Sequence, residues 1–186
     1  MRKILFAACF AVLVHGTASA ATITVDVFAK ENSSSGGVGQ PVTTVSAGEL
    51  LTISVNTDDL WSAGALPRWS NANGITGQLL ATGTDETGLP AGTVIGNNQF
   101  GQHTQFSLTA PFGSLVGEID GTYFVVGTFF SGASPDSGLL RLLYWDSNNN
   151  DNFGSVRASI RTASEPVTLV LFGLAALVGV RRRRMA

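Results

Sequence analysis

Leu139-Leu140-Arg141-Leu142-Leu143-Tyr144-Trp145 leads into Asp146-Ser147-Asn148-Asn149-Asn150-Asp151-Asn152-Phe153-Gly154, and then into Ser155-Val156-Arg157-Ala158-Ser159-Ile160-Arg161. The first block is apolar at every position but Arg141, the pattern of a strand buried on both faces in the middle of a sheet. The last block alternates, with Val156, Ala158 and Ile160 on one face and Ser155, Arg157, Ser159 and Arg161 on the other. That period of two marks a strand with one buried face. Between them lie turn-forming Asn, Asp, Ser and Gly residues, so the stretch predicts a hairpin with a long polar loop.

The same alternation recurs upstream. Ile23, Val25 and Val27 alternate with Thr24 and Asp26, and Leu51, Ile53 and Val55 with Thr52 and Ser54. Asp120-Gly121 separates Ser114–Ile119 from Thr122–Gly127, a strong two-residue hairpin signal. Ser33–Gly39 and much of Asp85–Gly101 have the composition of flexible loops. No stretch between residues 21 and 163 has the period of a long amphipathic helix, and no internal repeat is present. Short strands separated by turn signals predict an all-β, jelly-roll-like β-sandwich.

The two ends differ from this core. Arg2 and Lys3, the apolar run Ile4–Val14 and the small residues Ala18-Ser19-Ala20 have the order of a cleaved signal peptide, residues 1–20. The one cysteine, Cys9, falls inside it, so the mature chain has no disulfide, thiol nucleophile or thiolate metal site. Of 13 Asp and Glu, all but Glu165 lie in 21–163; of 11 Lys and Arg, Arg2, Lys3 and Arg181–Arg184 lie in the ends. The domain at 21–163 is therefore acidic. Phosphate binding needs clustered Lys and Arg, so nucleic acid is disfavoured as a partner.

The last segment, 164–186, carries Ser164-Glu165-Pro166, an uncharged apolar run from Val167 to Val180, and Arg181, Arg182, Arg183 and Arg184. The run would be about 21 Å long as a helix, short of a full span and within the range of a buried core helix. Against a core helix, it lacks amphipathic alternation and ends in an arginine block suited to a cytoplasmic membrane face. The segment resembles the PEP-CTERM sorting signal of Gram-negative bacteria, with Ser164 where that family has its first proline. The resemblance implies a membrane helix at 167–180, processing by an exosortase, and an inner-membrane-anchored precursor delivered to the cell surface or extracellular matrix, as in biofilm proteins.

The densest group of hard oxygen donors is Asp146–Asn152. Composition leaves two readings open, a plain polar turn or a loop that holds calcium, which takes six to eight such oxygens. It is not an EF-hand, because the glycine and the terminal glutamate of that frame are replaced by Asp151 and Arg157. Leu142–Asp146 followed by Asp151–Ile160 resembles the last hairpin of the calcium-dependent galactose-binding bacterial lectins. Val45–Ile53 is similar to an early strand of the same fold. The resemblance implies side-chain ligands from Asp146, Asp151 and Asn152, and carbonyl ligands from Asn148 and, within Trp61–Gly64, from Ala63. The His and Gln with which those lectins contact sugar have no matching positions here, so calcium carries over better than galactose.

Trp61 and Trp69 flank Arg68 and are candidates to stack on a sugar ring, or else core packing. Asp58-Asp59 and Asp85-Glu86 could suggest glycoside hydrolysis, but neighbours on a strand point to opposite faces. His103 sits among polar residues as a surface loop histidine would. No Gly-x-Ser-x-Gly, His-Glu-x-x-His or phosphate-cradling loop occurs, so the reading is not an enzyme. The expectation is an exported surface protein that binds calcium and exopolysaccharide. The alternatives are a structural surface protein whose calcium only stiffens the fold and, third, a hydrolase of unknown type.

The tail makes its own test. Deleting residues 167–186 is expected to move the protein from the membrane fraction to the soluble periplasmic fraction, read by immunoblot of fractionated cells; continued membrane association would refute the anchor.

Overall fold

A computed structural model describes residues 22–97 and 100–163. The signal peptide, Glu165, Pro166, the run Val167–Val180 and the arginine block, with the helices expected in them, lie outside the described residues. Among the described residues no helix is long and apolar enough to cross a membrane. The elements are strands: β1 (Thr22–Phe28), β2 (Gln40–Val45), β3 (Leu50–Val55), β4 (Trp61–Ser62), β5 (Trp69–Ser70), β6 (Leu79–Leu80), β7 (Val94–Gly96), β8 (Gln102–Gln105), β9 (Leu108–Pro111), β10 (Leu115–Ile119), β11 (Thr122–Val125), β12 (Phe129–Ala133), β13 (Gly138–Tyr144) and β14 (Phe153–Ala163).

The architecture is the expected all-β sandwich. One sheet runs β12-β3-β14-β4-β5, with β1 paired along the other edge of β14. The second runs β11-β10-β13-β2, and two ribbons, β6-β7 and β8-β9, lie apart from both. All the pairings between these strands are antiparallel. The alternating residues do what their period predicts. Val27, Leu51, Ile53, Val156, Ala158 and Ile160 from the larger sheet meet Val45, Leu115, Ile119, Leu140, Leu142 and Tyr144 from the smaller in one buried cluster.

β13 is central in its sheet, between β10 and β2, as its near-continuous apolar run predicts. Its second face is covered only toward its end: Leu143 is buried, whereas Leu139 is exposed and Arg141 half-buried, so burial on both faces is not met along the whole strand. Trp145, just past its end, packs with Val116 and Ala110, and Leu108 and Tyr123 lean against them. The β8–β9 ribbon supplies Leu108 and Ala110, so it acts as a partial third layer. The Asp120-Gly121 turn also forms as expected. Ile119 pairs with Thr122, and the two turn residues have φ of +49° and +82°, the positive pair of a type I′ turn.

Three expectations are corrected. β13 and β14 are not a hairpin: β13 is taken on both sides by β10 and β2, β14 by β1, β3 and β4, so residues 145–152 cross between sheets. Val45–Ile53 is likewise divided, β2 ending at Val45 in one sheet and β3 beginning at Leu50 in the other. The Glu49 carboxylate accepts the Ser46 N–H at 2.9 Å across the turn between them. The two stretches read as flexible loops are partly buried. Ser33 and Ser34 are buried, and within Asp85–Gly101 Ile95 is buried with Leu60 and Ala81 in a separate small cluster. Polar composition misled here because Ser and Thr hydroxyls satisfy buried backbone groups that a loop leaves unpaired.

Gly121 offers a clean test of the turn. A Cβ there would meet nothing within 4 Å, so only the backbone penalty remains. Gly121→Ala is expected to cost about 1 kcal/mol, against about 2–5 kcal/mol for the core truncation Ile160→Ala, both read as shifts in urea midpoint.

Candidate functional site

The crossing from β13 to β14 is held by the segment after β1. Ser34 Oγ donates to the Asp146 carbonyl at 2.9 Å and accepts the Asp146 N–H at 3.0 Å. Ser35 Oγ donates to the Ser147 carbonyl at 2.8 Å. Farther along, Asn149 Nδ2 donates to the Lys30 carbonyl at 3.3 Å, and Lys30 Nζ donates to the Asn150 carbonyl at 3.4 Å. The crossing is thereby fixed along its length, and its side chains have defined directions.

Those directions converge. Ala63, Asp146, Asn148 and Asp151 line one cleft of about 240 Å³, with Ser147 beside them. Arg68, Phe100 and Phe112 complete its wall. Four of the five residues expected to hold calcium therefore share one concavity. The fifth, Asn152, is buried and is not part of the lining: its Nδ2 donates to the Ala29 carbonyl at 3.0 Å, while its side chain also helps hold the Asp146 carboxyl down. Asn152 Oδ1 is buried with no hydrogen-bond partner among the described residues. A buried amide oxygen left this way costs on the order of 1–3 kcal/mol unless something else binds it.

The electrostatics are equally unbalanced. Asp146 is only 5% exposed, and that burial pushes its carboxyl above the usual carboxylate range. Hydrogen bonds from Ser147 (N–H to Oδ1, 2.7 Å), Asn152 and Asn148 oppose the rise, and the negative charge of Asp151 adds to it. The Tyr144 phenol is also pushed far up, by burial first and then by Asp146 and Asp151. Asp151 has partial relief. Its Oδ2 lies 3.2 Å from Arg68 Nη1, and its Oδ1 accepts from Asn148 Nδ2 at 3.3 Å. Arg68 Nη1 also reaches the Ala63 carbonyl at 3.4 Å, and its guanidinium carbon sits 4.8 Å from the Phe100 ring centre.

Local folding places these groups. β4 and β5 form a short ribbon in which the Ala63 N–H donates to the Arg68 carbonyl at 3.0 Å, so Ala63 and Arg68 face each other. Between them Gly64 has a φ of +116°, and a Cβ there would collide with Asp151 Oδ2. Only glycine lets the Asp151 carboxylate lie this close to the ribbon. The register of β4 with Phe153 and Gly154 brings the ribbon alongside the end of the crossing.

The donor set suits calcium chemically: two carboxylates, a buried side-chain amide oxygen with no partner, and the nearby carbonyl of Ala63 are all hard oxygens. Among the described residues no group of three or more His, Cys, Asp or Glu is gathered to hold a metal, so a site here draws on amide and carbonyl oxygens beside the two carboxylates.

Other candidates are placed elsewhere. Trp61 is fully buried in the main core, edge-on to Tyr144 with ring centres 4.6 Å apart, and its Nε1 donates to the Gly113 carbonyl at 2.9 Å. No face of it is open to a sugar, so of the two readings of Trp61 core packing holds and its candidacy as a sugar platform is corrected. Trp69 is half-buried, tilted against Phe153 at 6.1 Å, and lies outside the Asp146 cleft. Asp85 organises its own turn: hydrogen bonds from the Thr87 hydroxyl, then the Thr82 N–H, hold its carboxyl down to about 2. Asp59 accepts the Arg157 N–H, and with Asp58, Asp85 and Glu86 it lines a broad open groove elsewhere on the sandwich. His103 is not in a loop but on β8, stacked on Phe112 at 5.1 Å, with Nε2 3.3 Å from Gln105 Oε1. Sequence reasoning missed Phe100 and Phe112 as cleft walls and Arg68 as the cation facing the carboxylates. Only the pairing of β4 with β5 reveals the last of these.

Asp146 can be tested without any metal. Its folded pKa is raised above the unfolded value, so its ionisation opposes folding above the unfolded pKa, and protonation relieves the cost as pH falls through the folded value. In calcium-free buffer Asp146→Asn is expected to raise the urea midpoint at neutral pH, with the gain vanishing at pH below the carboxylate range. A lower midpoint at neutral pH would contradict this account.

No family model and no curated protein matches the sequence. Among solved structures the chain is similar to one titled EclA N-terminal domain; PllA-like lectin, with 21% identity, a TM-score of 0.47, and coverage of 75% of this chain and 95% of that chain.

Proposed function

We propose that this is an exported cell-surface protein whose sandwich binds calcium in the Asp146–Asp151 cleft and, beside that ion, a carbohydrate. The observation that carries the reading is the convergence of Ala63, Asp146, Asn148 and Asp151 on one cleft. A divalent cation would offset the repulsion between Asp146 and Asp151 and reverse the upward pull on the Asp146 carboxyl. Carbohydrate binding is supported by the lining of the cleft, which sets the polar side chains of Asp146, Asn148 and Asp151 beside the aromatic residues Phe100 and Phe112. Export, exosortase processing and passage through the inner membrane rest on the two chain ends, with Glu165, Pro166 and Arg181–Arg184 as the sorting elements.

One observation favours the rival in which calcium is structural only. Trp61, a candidate platform for a sugar, is enclosed in the core. Titration with neutral and acidic polysaccharides in calcium buffer separates the two readings, and absence of heat with every one of them would leave the structural role.

Calcium itself is tested by melting. A ligand that binds only the folded state at a hundredfold excess over its Kd stabilises by about 2.7 kcal/mol, or roughly 6–10 °C for a domain of this size. Millimolar calcium is expected to raise Tm by that order, chelator to reverse it, and Asp146→Ala or Asp151→Ala to abolish most of it. Magnesium should substitute poorly, because it demands a tight octahedron and keeps its waters. Identical melts with and without calcium would reduce the crossing to a plain loop.

A further inference from the structure

Arg68 is a cation already in contact with two of the proposed calcium ligands. Its Nη1 lies 3.2 Å from Asp151 Oδ2 and 3.4 Å from the Ala63 carbonyl. It is also tethered independently of them, with its guanidinium carbon 4.8 Å from the Phe100 ring centre. The ion pair itself is weak. Both side chains are more than a third exposed, 37% for Arg68 and 47% for Asp151, and pairs of that kind contribute about 0–1 kcal/mol. A divalent ion bridging Asp146 and Asp151 therefore displaces little when it takes Asp151 from the arginine. The contact with Phe100 does not depend on Asp151, and it keeps the guanidinium at the cleft wall.

On the calcium reading above, we infer that Arg68 makes the cleft a site for an anionic sugar unit, one bearing a carboxylate, whose acidic group pairs with the guanidinium once calcium has engaged Asp151. Charge and donor geometry both point to such a ligand. Asp146, Asp151 and Arg68 give the cleft one net negative charge, and a divalent cation changes this to one net positive charge. An acidic saccharide is repelled from the calcium-free cleft and attracted to the loaded one. Released from Asp151 and Ala63, the planar fork of Arg68 has N–H groups free, and a carboxylate accepts two of them side by side. Phe100 and Phe112, whose ring centres are 6.4 Å apart, add apolar surface to the cleft beside that charge, with one face of Phe100 under the guanidinium and one of Phe112 stacked on His103.

The experiment uses a methyl galacturonoside and its methyl ester, the same sugar with and without the charge. Both are titrated calorimetrically into the wild type, Arg68→Gln and Arg68→Lys, with saturating calcium and then with chelator. Calcium alone is titrated into each protein in parallel. The wild type in calcium should bind the acid at least tenfold more tightly than the ester. Arg68→Gln should lose that preference while binding calcium as well as or better than the wild type, since the competing cation is gone. Arg68→Lys keeps the charge without the fork and should retain part of the preference; it also serves if the Gln variant fails to fold. Equal affinity for acid and ester, binding of neither, or a preference intact in Arg68→Gln overturns the inference. If calcium alone gives no heat with the wild type, the calcium reading falls and the inference with it. Calcium heat without an acid preference sinks the inference only.

Discussion

The two hydrogen bonds between Ser34 Oγ and the backbone of Asp146 sit where the chain leaves one sheet for the other. Sheet ladders satisfy backbone groups automatically, but a crossing has no ladder, and each buried N–H or carbonyl there needs its own partner. Trp145 still pairs with Gly113 and Ser114, but the Asp146 backbone and the Ser147 and Asn150 carbonyls take theirs from Ser34, Ser35 and Lys30, and the Ser34 N–H in turn donates to the Tyr144 carbonyl at 2.8 Å. Were this clamp absent, the Asp146 carboxylate would have no reason to stay buried. The chain would also be free to relax the position of β14, the strand on which β1, β3 and β4 all pair.

That rigidity has a consequence for charge. A mobile loop would turn Asp146 to water, whereas the clamped one keeps its carboxylate enclosed beside Asn152 and within reach of the field of Asp151. The sandwich core, with its large buried side chains from both sheets, supplies the stability that lets this local conflict persist. Arg68 relieves only the outer member of the carboxylate pair. It reaches Asp151, while the inner carboxylate is left to backbone and amide hydrogen bonds.

Much of the fold was legible because period-2 alternation reports burial directly. Val27, Ile53, Val156 and Ile160 sit in the core on the faces their spacing assigned. The Asp120-Gly121 turn was readable because its chemistry is local, two residues that tolerate positive φ between two strands. What was not legible depends on pairing across long sequence distances. Nothing in Tyr144 or Phe153 states that their strands belong to different sheets, and a long polar loop fits a hairpin and a crossing equally well. The serines at 33–35 read as flexible because their partners lie more than a hundred residues away. Trp61 read as a possible platform because an aromatic beside glycine and proline looks exposed; its Nε1 has a buried carbonyl to donate to, and this let the whole ring sink into the core. The candidate ligands were found from their oxygen-rich composition and a resemblance, but the cation opposite them was not, since Arg68 meets Asp151 only through the ribbon of β4 and β5.

The location of the cleft follows from the same accounting of hydrogen bonds. Inside a sheet the carbonyls point sideways into the ladder, and alternate side chains are committed to the core or to solvent. Oxygens free to gather around a common point must come from where ladders end. Here three such ends meet: the turn after β4 carries Ala63, the segment after β13 carries Asp146 and Asn148, and the segment before β14 carries Asp151 and Asn152. The register of Gly154 with Trp61 fixes the first of these against the third, and the Ser34 clamp fixes the second. A polar site at this edge is thus a consequence of how the sheets are joined. Gly64 serves that meeting point twice, since its φ of +116° favours glycine and a Cβ there would collide with the Asp151 carboxylate.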